Sequence, residues 1–217
     1  EEAGKAAAAG IKAVFPDCET LLFPIADGGE GMLDVLLSTT KGTYQTLSVH
    51  GPLMEPVEGR YGLSGDGQTA LIEMATVSGL PLVPREKRNP MLTTTYGTGE
   101  LILDALRRGC REFIVGIGGS ATNDAGLGML QALGFRFLDR DGNPLGTGGR
   151  VMSEVAAIDT STVHPALKEA HFTIACDVEN PFCGPNGAAY IFAPQKGADP
   201  DMVKELDAGM RSLVQVI

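Results

Sequence analysis

At 217 residues the chain has length for one large domain or two small ones, with ample material for a core. Its formal net charge of −10 and pI near 4.7 argue against a nucleic-acid binder, which needs a basic face to neutralise phosphates. The densest basic stretch, Arg85-Glu86-Lys87-Arg88, sits in a Pro-flanked loop and does not supply one. An acidic protein can still hold phosphate compounds where backbone N–H groups and Mg²⁺ act locally. The 43% hydrophobic content, 29 Gly and 13 Pro describe globular material dense in turns. Cys18, Cys110, Cys176 and Cys183 lack CxxC spacing, and His50, His164 and His171 are scattered, so neither a zinc site nor a disulfide framework is expected. No run approaches the roughly 18 apolar residues of a membrane span and no signal peptide is visible, which reads as a cytoplasmic chain with reduced thiols and no membrane partner.

In chain order, residues 6–15 read as a helix with Ile11, Val14 and Phe15 on one face, stopped by Pro16. Residues 20–23 read as a strand, 26–31 as a loop, and 32–39 as a short helix ending before Gly42. Three β-rich runs follow at 44–50, 57–63 and 69–75, separated by Gly51-Pro52 and by Ser64-Gly65-Asp66-Gly67, which is the pattern of a meander. That change of texture places a domain boundary near residue 43. The pattern then returns to βα: a helix at 100–108, a strand at 113–117 and a helix at 124–133. A turn at 139–142 and strands at 172–176 and 188–192 complete the middle of the chain. The last helix has Asp199 as N-cap, Pro200 at its first position, and Val203, Leu206, Met210, Leu213 and Ile217 at helical spacing. Both ends read as cut, because the chain opens inside a helix and closes on an apolar helical face.

Four loops carry the chemistry. Phe113-Ile114-Val115 leads into Gly116-Ile117-Gly118-Gly119-Ser120-Ala121-Thr122-Asn123-Asp124, a strand followed by a Gly-rich turn and a helix. Glycines allow close backbone approach, and free N–H groups at a helix start attract anions. Ser120, Thr122 and Asn123 add side-chain donors, although no GxxxxGK[ST] or GxGxxG pattern is present. The bland alternative is a tight turn capped by Thr122 or Asn123. The second loop, Ala26-Asp27-Gly28-Gly29-Glu30-Gly31, carries two carboxylates that suit Mg²⁺ or a hydroxyl proton better than an anion. Its alternative is a turn with Asp27 capping the next helix. The third runs from Thr93 through Thr95 to Thr98 and Gly99, and offers hydroxyls at a helix start, with Thr98 as the expected cap. The fourth combines Asp177, Asn180 and Asn186 with Lys196, a lysine placed for a phosphate but equally consistent with solvation. Glu73, at the end of the third meander strand, reads as an edge charge or a substrate contact. Together these loops offer what phosphoryl transfer needs: positioned phosphates, a divalent cation and an acceptor beside a carboxylate.

The strings ADGGEG, TTTYGTGELI, GIGGSATNDAGLGMLQALG, CDVENPFCGPNGAA and PQKGA occur in the same order in bacterial glycerate kinases, a family that this chain resembles from about residue 11 to its end. The resemblance implies an ATP- and Mg²⁺-dependent kinase that phosphorylates D-glycerate, with 2-phosphoglycerate as product. It also implies a two-domain α/β fold: a Rossmann-like domain, partial here (1–43), and an inserted α/β domain containing the meander (44–217). Matched position by position, Asp27, Gly28, Gly29 and Glu30 fall in the family's acidic loop and Gly118 to Asp124 in its GGSATND loop. Asp177, Asn180, Asn186 and Lys196 fall in the later pair. Gly119, Ser120 and Thr122 are then expected to bind the anion, and Asp124 or Asp27 to hold metal or the acceptor, with Asp177 a further catalytic carboxylate. Met32, Ala125 and Ala193 depart from the usual residues; Ala125 costs backbone freedom beside the anion loop without forbidding a helix start. Two rival readings use the same residues: a metal-assisted phosphate-ester hydrolase and a non-catalytic phosphate or nucleotide binder.

Overall fold

The computed structural model describes residues 2–23, 25–26 and 28–217. Its centre is a mixed five-stranded sheet in the order β1-β2-β3-β4-β7. Strands β1 (Thr43–His50), β2 (Pro56–Leu63) and β3 (Thr69–Glu73) form the antiparallel meander, while β4 (Glu112–Gly116) and β7 (His171–Ala175) continue it in parallel. The register aligns Glu73, Gly116 and Ala175 across the three parallel strands, so their carboxyl ends finish side by side. Loops leaving that edge therefore start side by side, at the edge where open α/β sheets place their ligands.

Alternation along the strands explains the two faces. Ile72, Phe113 and Val115 point to one side and pack with Leu101, Ile102, Ala105 and Leu106 of α4 (Tyr96–Arg107). Leu71 points to the other side and packs with Leu33 and Leu37 of α2 (Met32–Thr40). A second core gathers around α7 (Pro200–Leu213), whose Val203, Leu206, Met210 and Leu213 meet Val151, Met152 and Val155. Helix α7 starts as expected, with the Asp199 carboxylate accepting from the N–H groups of Asp201 and Met202. The first helix, α1 (Glu2–Val14), leaves Ile11 and Val14 exposed, as is Phe15 beyond it.

Several elements differ from the sequence reading, each for a local reason. Residues 20–23 form no strand: they enter no ladder, and Leu21, Leu22 and Phe23 are exposed. A strand without a neighbour leaves its backbone groups unpaired. Residues 188–192 form a helical turn, α6 (Ala188–Phe192), where a strand was expected. A short apolar run does not tell the two apart, and the paired alanines favour the helix. The third meander strand stops at Glu73, because Ala75–Ser78 turns into the short helix α3. Helix α4 begins at Tyr96, a turn earlier than expected, which puts Thr98 inside the helix instead of at its cap. Helix α5 (Leu127–Ala132) begins three residues later than expected, since Ala125 and Gly126 both take left-handed φ values, 51° and 76°. The turn at 139–142 follows β5 (Arg136–Leu138), which pairs with β6 (Ala157–Asp159) in a two-stranded sheet that the sequence reading does not contain.

Candidate active site

The 116–128 loop leaves the end of β4 and lies directly on the acidic loop. The Gly118 N–H donates to the Gly28 carbonyl at 3.1 Å. A Cβ on Gly118 would lie 2.7 Å from the Gly29 Cα, so this backbone-on-backbone approach requires glycine at that position. The next residue, Gly119, takes φ +72° and turns the chain back. From there the loop is stitched on its far side: the Leu80 N–H donates to the Gly119 carbonyl, the Ala121 N–H to the Ser78 carbonyl, and Thr93 Oγ1 to the Ala121 carbonyl. Every one of these bonds uses a carbonyl of the loop or the N–H of Gly118 or Ala121. Among the described residues, the N–H groups of Gly119 and Ser120 at the partly exposed tip donate to no protein group.

Two buried charges hold this shape. Asp124 is 1% exposed, and its carboxylate is filled from inside the protein. Its Oδ2 accepts from the Thr95 N–H (2.8 Å), Thr95 Oγ1 (2.9 Å), Thr94 Oγ1 (3.4 Å) and the Gly128 N–H (3.2 Å), while its Oδ1 accepts from the Gly126 N–H at 3.2 Å. Thr95 Oγ1 in turn accepts from the Met129 N–H, so one carboxylate ties the start of α4 to the start of α5. Lys196 is 8% exposed rather than solvated. Its Nζ donates to Ser120 Oγ at 2.8 Å and to the Thr122 carbonyl at 2.6 Å, from beneath the loop. Burial lowers its pKa to about 8, partly opposed by the charge of Asp124.

The remaining expected residues divide by setting. Glu73 is buried, and its Oε2 accepts from the N–H groups of Gly31 and Leu33. It therefore caps α2 from a strand end 40 residues further along the chain. Asn123 is turned inward, its amide donating to the Met210 sulfur at 3.4 Å. Thr98 bonds the Ser78 hydroxyl at 2.8 Å inside the protein, and Thr122 is buried with its carbonyl on Lys196. Gly28 is buried against β7: a Cβ there would meet the Ala175 carbonyl at 2.4 Å, which brings the acidic loop, and Gly29 with it, to the end of that strand. Glu30 is exposed on the same loop, and Asp177 is exposed just beyond β7. The Asn180 amide donates to the Asn186 carbonyl at 3.0 Å and folds the 176–187 loop on itself. Asp27 lies outside the described residues.

A cleft of about 370 Å³ opens beside the Gly-rich tip, lined by Glu30, Gly31, Asp34, Arg60, Glu73 and Ala75 among others. Its link to the loop is Ala75, whose Cβ is 3.4 Å from the position a Gly119 Cβ would take. Arg60 was not singled out from sequence, having no motif around it. It is the cation of this cleft, held over the Tyr44 ring at 5.2 Å and 3.8 Å from Asp34. Asp207 was missed for the same reason: it anchors the Gly184 N–H at 2.5 Å and Arg211 Nε at 2.8 Å, pinning the 176–187 loop to α7.

The whole chain, residues 1–217, matches the model of the glycerate kinase family. It is 52% identical over 215 residues to the glycerate kinase of Haemophilus influenzae, covering 99% of this chain and 57% of that protein. It is 49% identical to the glycerate 2-kinase of Escherichia coli, covering all of this chain and 57% of that one. Among solved structures, a glycerate kinase 2 crystal structure from Salmonella typhimurium LT2 superposes with a TM-score of 0.87 at 45% identity, over 98% of this chain and 57% of that one. The chain thus spans a little over half the length of these relatives. Its fold and its strand-end loops both lead to the same assignment: the chain belongs to the glycerate kinase family.

Proposed function

We propose that the chain supplies the donor-phosphate wall and part of the acceptor cleft of an ATP-dependent D-glycerate kinase whose product is 2-phosphoglycerate. The observation that carries this reading is the 116–128 loop: two N–H groups at its tip without acceptors among the described residues, and a buried ammonium immediately beneath. Backbone donors fixed before the ligand arrives lose little entropy on binding and need no reorganisation during reaction. Gly118, Gly119 and Ser120 form the cradle, and Lys196 and Thr122 support it. The adjoining cleft receives the hydroxy acid. The names of the relatives, glycerate kinase and glycerate 2-kinase, support that acceptor, and the second name supports phosphorylation at the C2 hydroxyl.

Mg²⁺ takes oxygen ligands, typically one or two carboxylates with substrate phosphates and waters. Glu30 and Asp177 fit this demand, since both are exposed on loops that meet at the end of β7. Asp124 does not, because five donors already surround its two oxygens. When bound, the cation neutralises charge on the transferring phosphoryl group. The chain's own groups then orient the donor, exclude water and place a carboxylate near the acceptor hydroxyl; Asp27 and Asp177 are the proposed candidates for that proton.

A coupled assay of the intact protein with D-glycerate, Mg²⁺ and ATP tests the reading, with the product's phosphate position read by NMR. Glycerate-dependent ADP formation yielding the 2-phosphate is expected. ATP loss without glycerate would instead mark a hydrolase, and nucleotide binding without turnover a sensor.

A further inference from the structure

Lys196 presents an electrostatic problem that the described residues do not solve. An ammonium taken out of water is costly unless an opposite charge is close by. Both acceptors of its Nζ, Ser120 Oγ and the Thr122 carbonyl, are neutral. Among the described residues no carboxylate lies within ion-pair distance of it. Asp124 acts on it from the same loop, but that carboxylate is spent on the Thr94, Thr95, Gly126 and Gly128 donors. Arg88, whose backbone packs against Gly197, is another cation and turns its Nε to the Val83 carbonyl. The ammonium has three N–H groups and two acceptors among the described residues, which leaves one donor over. It also touches the hydroxyl of Ser120, whose own N–H is free at the tip of the loop.

We infer that the missing counter-charge of Lys196 is the phosphoryl group of the bound ligand, so that the lysine shapes the loop before binding and is neutralised by the ligand after it. This rests on the phosphate-site reading above. It makes Lys196 a positioning cation acting chiefly through Ser120 and the loop backbone. A consequence is that ligand binding and lysine protonation are linked. The free protein loses this proton near pH 8, and a phosphate placed against the ammonium raises that value, since an opposite charge favours the charged form. At pH 8.5, binding should therefore draw up to about three quarters of a proton from solution.

Titration calorimetry of the intact protein with MgADP at pH 8.5, repeated in buffers of different ionisation enthalpy, measures that uptake directly. The wild-type protein is expected to bind with proton uptake. Lys196→Arg, which keeps a permanent charge, should bind within about tenfold of wild type without uptake, and Lys196→Met should bind more than tenfold more weakly, also without uptake. Wild-type binding with no proton uptake overturns the assignment of Lys196 and leaves the phosphate site standing, as does full affinity in Lys196→Met. No MgADP binding by the wild type overturns the phosphate-site reading and this inference with it. The wild-type uptake needs no substitution, so it decides the matter even if Lys196→Met fails to fold.

Discussion

The 116–128 loop and the 176–187 loop leave the carboxyl ends of two neighbouring parallel strands, β4 and β7, yet they are built in opposite ways. The first is cross-braced to three other segments, with buried Asp124 and Lys196 beneath it. The second is exposed along 176–182 and held mostly by bonds within itself, such as the Asn180 amide on Asn186 and the Ala188 N–H on Pro181, with the Gly184 N–H on Asp207 tying it to α7. The contrast fits a division of labour. A loop that must present N–H groups to an anion gains from being preset, because reorganisation then adds nothing to the barrier. A loop that places a carboxylate such as Asp177 near a cation or an acceptor can remain adjustable, since ordering it on binding is one way a site closes.

The largest effect should come from breaking the braced loop at its centre. Asp124→Ala removes the acceptor of five donors and leaves buried N–H groups unpaired. A loss of about 3–5 kcal/mol is expected in urea unfolding, with turnover falling at least a hundredfold. Asp124→Asn keeps the shape but sets an amide NH2 against at least one backbone donor, since both carboxylate oxygens accept from backbone N–H groups, and should also lower turnover strongly while leaving the protein folded. Next is Gly128→Ala. A Cβ there would sit 2.0 Å from Thr94 Oγ1 and 2.8 Å from the Tyr96 backbone nitrogen, so the junction of α4 and α5 must open. About 1–3 kcal/mol should be lost, together with MgADP affinity.

The third expectation concerns pH and isolates Lys196. Its folded pKa of about 8 lies below the roughly 10.4 of an unfolded lysine. Between those values the unfolded chain binds the additional proton, so stability from this group rises with pH from 8 upward and its burial penalty is fully present below 8. The wild-type protein should therefore gain stability relative to Lys196→Met as pH rises from 7.5 to 9.5; a parallel pair of curves would contradict the buried charge. The smallest effects should come from the second loop. Asp207→Asn should cost about 1–2 kcal/mol, because it weakens the bond to Gly184 and the pair with Arg211. Asp177→Asn should change stability by less than about 0.5 kcal/mol, the side chain being exposed. A drop in turnover without a change in stability would mark Asp177 as part of the chemistry.

What the sequence made legible follows its periodicity. The meander strands, β4, β7 and α7 were placed to within a few residues, because alternation, turn residues and the Asp199-Pro200 start are local signals. The Gly-rich strand-to-helix turn was legible for the same reason. What failed depended on partners distant in the chain. The strand expected at 20–23 needs a neighbour that its own residues do not encode, and the α6 turn at 188–192 is chosen by alanine content and packing rather than period. Glu73 capping α2, Asp124 gathering Thr94 and Thr95, and Lys196 reaching Ser120 are contacts across 29 to 76 positions. Sequence marked these residues as interesting but not whether they face a ligand or the protein.

Hydrogen exchange of the intact protein with and without MgADP tests the central claim most directly. The N–H groups of Gly119 and Ser120, which have no acceptor among the described residues, should exchange fast in the free protein and slow by at least tenfold when nucleotide is added. Asp124-bound amides such as those of Thr95 and Gly128 should be slow in both states. Fast exchange at Gly119 and Ser120 under saturating MgADP, with the protection falling elsewhere in the chain, would contradict the account.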